Sequence, residues 1–319
     1  MKKLTPESCA RELKQLCGNI VVLTHIHPDG DTLGSAAALV RILRALKKNA
    51  VAYVAESVPW RFRYLSREGV FTTELPLGGF TAVAVDVAAP SQLGDPMPVA
   101  PEHIAIGIDH HTGETPVAEQ MLVMPDRSAA GEIIYELSEL LGVAPDTGIA
   151  EALYTAIASD SGGFRFSSTS PRTHIIAAKL LEVGIDFAQI NRQIFDTVSD
   201  DQFALERLAY SLLKREFDGK CAVLCFTRGA LERAGMEKPD YGDIAQLPRR
   251  LEGVEVGVTI RPDDSGGCRV SFRSNKYVNV SEIASVFGGG GHYFAAACRF
   301  CCEPEQALPQ VLSEVGKRL

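Results

Sequence analysis

Histidine and aspartate side chains cluster in the segment HIHPDGDTLGS, where their types and spacing suit the binding of a divalent metal ion. The segment carries His25, His27, Asp29 and Asp31, and its proline and first glycine bend the chain so that neighbouring carboxylates can point the same way. Carboxylates this close repel each other unless a cation lies between them. The alternative is a polar loop in which one aspartate caps the following helix.

Three further segments place acids and imidazoles at the ends of predicted elements. They contain Asp86 at the end of TAVAVD, the triplet Asp109-His110-His111 at the end of IAIGID, and Asp160 in IASDSGG. Imidazole and carboxylate ligands together suit Mn, Fe, Co or Zn. Taken singly, the three segments have ordinary explanations as a turn, a solvated loop and a helix C-terminus. Their repeated occurrence within one domain favours a shared metal site.

A glycine-rich segment in the second half of the chain, FGGGGHYFAAAC, has the composition of an anion-binding loop. Consecutive glycines such as Gly289, Gly290 and Gly291 can expose backbone N–H groups that cradle an anion. His292 follows them directly, and Arg273 lies on the preceding predicted strand. This combination indicates a clamp for a phosphate or a nucleotide, with a flexible turn as the alternative.

Short apolar runs alternate with helical patterns in the first part of the chain. This alternation predicts an α/β fold with a mostly parallel sheet flanked by helices. Strands are predicted at residues 20–24, 50–55, 81–87, 104–108 and 121–124, with a helix over residues 33–48. Ligands of open α/β sheets collect at the carboxyl ends of the strands. We therefore expect the acidic segments to meet at one edge of the sheet.

The second part of the chain predicts a different organisation. Residues 128–217 have a mainly helical pattern, with 187–217 as a longer helical connection, and strand patterns return at 221–226, 254–260, 268–272 and 295–300. We predict a metal-binding catalytic domain over residues 1–190, a helical linker over 191–219 and a smaller α/β domain over 220–319. This last domain would bind the substrate and close over it.

The composition indicates a globular protein that acts on small substrates. Of the 319 residues, 46% are hydrophobic and 23% are charged, and the net charge is -8. An acidic chain gains no general electrostatic attraction to long nucleic acid, so short phosphorylated substrates are favoured and long duplexes are not expected. No apolar run reaches the length of a membrane span, and the charged N-terminus lacks a signal-peptide core, which favours the cytoplasm.

The eight cysteines show no spacing typical of a disulfide framework, which also fits a cytoplasmic protein. Cys298, Cys301 and Cys302 form a Cys-x-x-Cys-Cys run, but a structural zinc site needs a fourth ligand, and the sequence offers none nearby. We interpret these three as buried or half-buried thiols of a strand. Cys221 and Cys225 lie in an apolar run and are interpreted as core residues.

The order of these motifs resembles that of the DHH phosphoesterase family, which is named for the triplet found here at residues 109–111. The GGGGH segment is similar to the C-terminal domain associated with that family, so the resemblance covers nearly the whole chain. Within the family, the chain is most similar to bacterial oligoribonucleases that also act as phosphoadenosine-phosphate phosphatases. The resemblance implies hydrolysis of very short RNA and related nucleotides, with Mn(II) as the usual metal.

The resemblance also implies roles for individual residues. One divalent ion would be held by His25, Asp29 and Asp86. The other would be held by Asp31, Asp86, His110 and Asp160, so that Asp86 would bridge the two ions and be essential for catalysis. His111 would approach the scissile phosphate as a catalytic residue. The far end of the substrate would be held by Arg273, His292 and the three glycines Gly289, Gly290 and Gly291.

Three positions depart from the pattern of the family. Ser161 stands where a threonine is frequent, Gln92 is nearest to a position that commonly carries arginine, and the glycine-rich segment closes with three alanines and Cys298 rather than Ala-Ala-Gly. These changes leave the predicted ligands intact and bear on substrate preference. Hydrolysis of pyrophosphate or polyphosphate, hydrolysis of cyclic or linear dinucleotides, and nucleotide binding without catalysis stay open as alternatives. The sequence is also compatible with a homodimer.

Overall fold

The computed structural model describes residues 2–111, 115–237, 239 and 241–319. The chain divides into two compact units, Met1–Thr197 and Val198–Leu319. In the described part of the chain, no helix combines the length and the apolar character that crossing a bilayer requires.

The first unit is built on a seven-stranded sheet in which every neighbouring pair of strands is parallel. In chain order, its strands are β1 (Lys2–Lys3), β2 (Asn19–Leu23), β3 (Asn49–Tyr53), β4 (Phe71–Thr72), β5 (Thr81–Val85), β6 (Ile104–Asp109) and β7 (Gln120–Val123). The central strands are nearly continuous apolar runs, as expected for parallel strands that are covered on both faces.

In the part of the first unit that the structure describes, six α-helices accompany this sheet, and shorter helical turns connect them. They are α1 (Pro6–Gln15), α2 (Gly30–Ala45), α3 (Ala130–Leu141), α4 (Thr147–Asp160), α5 (Pro171–Glu182) and α6 (Phe187–Asn191). The shorter turns are 3-10 segments at Trp60–Gly69, Pro90–Leu93 and Pro101–His103, and a π-helical turn at Arg192–Asp196.

Helix α2 runs through the centre of the unit and packs closely on α4. Its residues from Gly30 to Leu43 are all buried. Gly34 makes the close approach feasible, because a Cβ at this position would lie 2.4 Å from the backbone oxygen of Ala152 in α4. The packing brings the first turn of α2 beside the last turn of α4, since a Cβ at Gly30 would meet Ser159.

The strand order β1-β7-β6-β5-β2-β3-β4 reverses its direction between β2 and β5. From β2 the chain adds strands on one side, and from β5 it adds them on the other. A reversal of this kind opens a crevice at the carboxyl ends of the two strands, where ligands of open α/β sheets bind.

Among its described residues, the second unit contains a six-stranded sheet and four α-helices. Its strands are β8 (Lys214–Glu216), β9 (Cys221–Cys225), β10 (Val256–Pro262), β11 (Cys268–Ser274), β12 (Gly290–His292) and β13 (Ala295–Phe300), in the spatial order β12-β13-β11-β10-β9-β8. Only β9 and β10 pair in parallel among these strands. The helices are α7 (Asp200–Leu212), α8 (Arg228–Arg233), α9 (Val280–Val286) and α10 (Pro304–Gly316), with 3-10 turns at Gly242–Gln246 and Pro248–Arg250.

The fold class is confirmed: a mostly parallel sheet flanked by helices is followed by a smaller α/β unit. The expected helical connection over 187–217 is wrong in two places. It is interrupted at residues 197–199, before α7, and Lys214–Glu216 form β8 and pair antiparallel with β9. Charged residues suit such an edge strand, so they gave no strand pattern. Along the chain, the first unit ends at Thr197 and the second begins at Val198. The assignment of residues 1–190 to catalysis, 191–219 to a linker and 220–319 to substrate binding stays a prediction.

Candidate metal centre

The six predicted metal ligands lie at the ends of elements that meet at the crevice of the first unit. His25 follows β2, Asp86 follows β5 directly, and His110 follows β6 directly. Asp31 lies in the first turn of α2, and Asp160 is the last residue of α4. Since α2 and α4 pack closely, Asp31 and Asp160 come together with the residues that follow the strands. The sixth ligand, Asp29, is the N-cap residue of α2.

One group of ligand atoms surrounds the imidazole of His110. Its Nε2 atom lies 3.5 Å from an oxygen of Asp160, 3.6 Å from an oxygen of Asp86 and 3.7 Å from an oxygen of Asp31. These distances are too long for hydrogen bonds. The ligand atoms of Asp31, His110 and Asp160 all lie within 4.8 Å of one another, whereas Asp86 shares such groups with His110 and with His25. Ligands about 2.1 Å from one ion lie at most about 4.2 Å apart, so the three atoms are close to the spacing of a shared ion and Asp86 lies beside them.

A second group lies on the other side of Asp86. The Nε2 atom of His25 is 3.9 Å from the second oxygen of Asp86 and 4.0 Å from an oxygen of Asp29. Asp29 also accepts a hydrogen bond from the backbone N–H of Thr32 and so caps the N-terminus of α2. The alternative interpretation of this segment, in which an aspartate caps the helix, is therefore true of Asp29 as well. Each oxygen of Asp86 therefore faces one group, which is the arrangement that a bridging carboxylate requires. The ligand roles themselves stay a prediction.

Two buried polar atoms at this centre are left without hydrogen-bond partners among the described residues. They are Oδ1 of Asp86 and Nε2 of His110. A buried polar atom without a partner costs free energy, and a bound cation would satisfy both atoms at once. The Nδ1 atom of His110 lies 3.1 Å from the backbone oxygen of Arg127. A donated hydrogen bond there leaves the lone pair of Nε2 directed into the centre. The donor set therefore fits a divalent ion.

The N-terminus of α3 holds the carboxylate of Asp31 in place. Asp31 is only 1% exposed and accepts hydrogen bonds from the backbone N–H groups of Ala130 and Gly131 and from the hydroxyl of Ser35. The first N–H groups of a helix have no partner within the helix, and they carry a partial positive charge. Asp31 is thus oriented before any metal binds.

The carboxyl groups of the centre favour protonation when no cation is bound. Burial raises the pKa of Asp86 to about 8 and the pKa of Asp160 to about 7. Burial, together with the charges of Asp86 and Asp160, raises the pKa of Asp31 well above its usual value. Burial lowers the pKa of His25 and of His110, so both imidazoles are in the neutral form that binds metals.

Asp109 orients His111, a role that the sequence analysis did not assign. One oxygen of Asp109 accepts hydrogen bonds from the backbone N–H groups of His110 and His111 and lies 2.9 Å from Nδ1 of His111. This hydrogen bond raises the pKa of His111 to about 9. His111 is therefore an imidazolium at neutral pH and lies 3.5 Å from an oxygen of Asp86. The signal in the sequence was an acid directly before two histidines at a strand end.

Asp86 adopts a backbone conformation that is uncommon for residues other than glycine. Its φ angle is +59°, in the left-handed region that aspartate tolerates better than most residues. The backbone N–H of Asp86 donates to the backbone oxygen of Ile108 in β6, which fixes the turn beside the triplet. Strained conformations of this kind concentrate at functional sites. His27, in contrast, is exposed and belongs to none of the metal-binding groups among the described residues.

The predicted substrate residues of the second unit occupy one face of its sheet. Arg273 of β11 is paired with Ala295 of β13, and Ala295 is paired with His292 of β12. Residues directly opposite each other on paired strands project from the same face. Arg273 and His292 therefore lie in one row on that face, with Ala295 between them.

The glycines beside His292 serve mainly to bring β12 close to β13. A Cβ at Gly289 would lie 2.2 Å from the backbone oxygen of Ala297, and one at Gly291 would lie 2.5 Å from that of Ala295. The N–H of Gly289 donates to the backbone oxygen of Ala284. The prediction that Gly289 helps to cradle an anion is therefore wrong, because its N–H group is already hydrogen-bonded at the end of α9. Gly290 and Gly291 stay candidates.

The cysteines of the second unit are thiols. All three cysteines of the Cys-x-x-Cys-Cys run are free, with Cys298 buried and Cys302 half-buried. The expectation of buried or half-buried strand thiols is wrong for Cys301, which is exposed, and β13 ends at Phe300, before Cys301 and Cys302. Burial raises the pKa of Cys298 to about 11, so this thiol is protonated at neutral pH. In the described part of the chain, the groups of side chains close enough to share a metal ion contain histidines and acids only.

Comparisons with known proteins agree on one family. Residues 19–157 match the DHH family, N-terminal domain, and residues 218–319 match the DHHA1 domain. The chain is 34% identical to the Thermus thermophilus protein named bifunctional oligoribonuclease and PAP phosphatase NrnA, over 97% of this chain and 93% of that protein. It is 26% identical to the Bacillus subtilis protein of the same name, over 88% of this chain and 89% of that protein. An exopolyphosphatase-related protein from Bacteroides fragilis has a similar structure, with a TM-score of 0.87, 22% identity and coverage of 98% and 96% of the two chains.

Proposed function

The chain belongs to the DHH family of phosphoesterases, and from that premise we propose that it hydrolyses short oligoribonucleotides and 3′-phosphoadenosine 5′-phosphate. It is a hydrolase, and the relatives that match it over nearly their full length carry these two activities in their names. The observation that carries the proposal is that two buried atoms, Asp86 Oδ1 and His110 Nε2, form no hydrogen bond among the described residues and lie in a cluster of acids.

The cluster supports a centre for two divalent ions, and we propose Mn(II). His25, Asp29 and Asp86 would hold one ion, and the other would be held by Asp31, Asp86, His110 and Asp160. A ligand set that mixes imidazoles with carboxylates suits Mn(II) better than Mg(II), because Mg(II) prefers ligands that are all oxygen atoms. When bound, two such ions supply a water of lowered pKa and neutralise charge that develops on the phosphate.

The protein's own groups would orient the phosphate and supply a proton. His111, held as an imidazolium by Asp109, is suited to donate a hydrogen bond or a proton to a phosphate oxygen. Asp31 is kept in position by the N-terminus of α3. Arg273 and His292 would bind a substrate phosphate, because a guanidinium group binds phosphate oxygens in a bidentate manner. A cytoplasmic location and a homodimer stay predictions.

A side-by-side assay tests this function. Purified protein with Mn(II) is offered a diribonucleotide, 3′-phosphoadenosine 5′-phosphate, a cyclic dinucleotide and pyrophosphate. We expect mononucleotide release from the first and phosphate release from the second, with both lost in the Asp86→Ala variant. Faster turnover of pyrophosphate or of the cyclic dinucleotide would support one of the alternative substrate classes instead. Nucleotide binding without any turnover would indicate a binding protein.

A further inference from the structure

Three arginines lie in one row across three neighbouring strands of the second unit. Arg261 of β10 is paired with Arg269 of β11, and Arg269 is paired in turn with Arg299 of β13. Both strand pairs are antiparallel, so residues directly opposite each other share one face of the sheet. We call Arg261, Arg269 and Arg299 the arginine row.

The alternation of burial identifies the face on which the arginine row lies. Along β11, Cys268, Val270 and Phe272 are buried in a core with residues of α9 and α10. Arg269 and Arg273 alternate with these residues and are half-buried, so they project from the opposite face. The arginine row therefore shares its face with Arg273 and His292.

Two members of the row have no direct hydrogen bond or ion pair among the described residues. The guanidinium groups of Arg269 and Arg299 form no hydrogen bond or ion pair with any residue that the structure describes. Arg261 is different, because its guanidinium lies over the ring of Tyr241, 4.5 Å from the ring centre. Like charges directly opposite each other destabilise a sheet, so an anion lying over the row would relieve this repulsion.

Two acids near the ends of these strands already have other partners. Asp263, in the turn between β10 and β11, accepts hydrogen bonds from the hydroxyl of Ser265 and from the backbone N–H groups of Ser265 and Gly267. The hydroxyl of Ser265 is the main cause of its lowered pKa, and the charge of Arg299 contributes less. Glu303 forms an ion pair with Arg228, with atoms 3.1 Å apart. The row is therefore a local positive patch on a chain whose net charge is -8.

Small side chains separate the arginine row from Arg273. Arg269 and Arg273 are four residues apart on β11, which corresponds to about 13 Å along the strand. Ser271 lies between them on the same face, opposite Ala297 of β13. Between the two positive positions, β11 and β13 thus carry the small side chains of Ser271 and Ala297 on this face, which suits an extended chain that carries repeated negative charges.

We propose that the arginine row binds backbone phosphates of an oligoribonucleotide beyond the phosphate that Arg273 and His292 bind. This inference rests on the proposed function. The occupant is chosen by charge complementarity, since each added nucleotide brings one more phosphate. A dinucleotide has one internal phosphodiester and would not reach both positions. The row would therefore set the preference between dinucleotides and longer oligomers.

The test compares substrates of two lengths in a variant with both unpaired arginines neutralised. Wild-type protein and the double variant Arg269→Gln/Arg299→Gln, both loaded with Mn(II), are titrated into a fluorescein-labelled pentaribonucleotide or diribonucleotide with slowly hydrolysed phosphorothioate linkages. We expect the variant to lose roughly tenfold in anisotropy-measured affinity for the pentamer. Its affinity for the dimer should be unchanged. The slope of log affinity against log salt for the pentamer should fall by about 0.7 per lost contact.

Two further variants make the comparison specific. The double variant Arg269→Lys/Arg299→Lys keeps both charges and should retain most of the affinity for the pentamer. Arg233→Gln removes an exposed arginine of α8 outside the row and should change neither affinity. The double glutamine variant should not lower the Tm, because it removes repulsion between neighbouring strands. If its Tm does fall, the single variant Arg299→Gln, at an exposed side chain, is used for the same binding measurements.

The outcomes separate this inference from the proposed function. Equal losses for dimer and pentamer, or no loss for either, would overturn the role of the arginine row. Wild-type binding of the pentamer that is no tighter than that of the dimer would also overturn it. Length-dependent binding through the row without hydrolysis of either unmodified RNA would instead overturn the proposed function and leave the phosphate-binding row standing.

Discussion

At the scale of single residues, Asp86 is the side chain on which both groups of ligand atoms depend. Its two oxygens face His25 at 3.9 Å and His110 at 3.6 Å. Asp86→Ala would remove a ligand from both proposed ions, so we expect kcat to fall by roughly 1,000-fold or more. Arg273→Ala should mainly raise KM. Steady-state kinetics on a diribonucleotide with Mn(II) measure both, and equal losses of kcat with unchanged KM would contradict this division of roles.

A single hydrogen bond from His111 to Asp109 controls the protonation of His111. That bond raises the pKa of His111 to about 9, so the protonated form is present below this pH and is lost as the pH rises through it. In Asp109→Asn the pKa of His111 should fall toward its usual value of about 6.5. The alkaline limb of the pH profile of kcat should then move to lower pH.

The control for this prediction is Glu102→Gln, at an exposed acid just before the other end of β6. It removes the same charge without touching the triplet and should leave the pH profile in place. A profile of Asp109→Asn with an unmoved alkaline limb would show that His111 is not the group whose protonation the reaction needs.

The residue types of the centre could be read from the sequence, but some of their partners could not. Histidines and aspartates at strand ends were enough to name His25, Asp86 and His110. The backbone oxygen of Arg127 that orients His110 leaves no trace in residue type, since every residue has one. The N–H of Gly289 is likewise committed to a helix end, which depends on where α9 stops rather than on the glycine itself.

At the scale of elements, the distance between α2 and α4 sets the distance between Asp31 and Asp160. Gly34→Ala would place a methyl group 2.4 Å from the backbone oxygen of Ala152, so the helices must separate. We expect a loss of about 1–3 kcal/mol in the free energy of unfolding. The affinity for Mn(II) should also fall. Chemical denaturation and metal titration measure the two effects.

Gly229→Ala is the matched control, because it adds a methyl group to a helical glycine whose nearest neighbour is the end of the flexible side chain of Arg233. Alanine stabilises a helix relative to glycine by up to about 1 kcal/mol, so stability should be unchanged or higher. Normal metal affinity in Gly34→Ala would show that the packing of α2 on α4 does not control the centre.

Elements with a strong pattern were predictable, and elements decided by their neighbours were not. The apolar runs that became β2, β5 and β6 gave strands within one or two residues of their bounds. β1 and β4 have two residues each, too few for any periodicity to appear. Such short strands exist because a paired neighbour supplies the hydrogen bonds, which is information that the local sequence does not contain.

At the scale of the whole molecule, three buried carboxyl groups link stability to pH. Burial raises the pKa of Asp86 to about 8 and of Asp160 to about 7, and it also raises the pKa of Asp31. Above about pH 4 the metal-free fold therefore holds more protons than the unfolded chain, and it loses stability as the pH rises toward about 8. A bound divalent ion competes with the same protons, so its affinity rises as they leave.

We therefore expect Mn(II) to raise the Tm more at pH 8.5 than at pH 6. Mn(II) at 100-fold its Kd stabilises the fold by about 2.7 kcal/mol. At pH 6 part of this stabilisation is lost, because Mn(II) must first displace protons from the three carboxyl groups. Thermal melts with EDTA or with Mn(II) at both pH values measure the difference, and calorimetry in two buffers should show more proton release at pH 6. Asp160→Asn removes one of the three carboxyl groups and should weaken the pH dependence. A rise in Tm that is equal at both pH values, or larger at pH 6, would mean that these carboxyl groups do not release their protons to the metal.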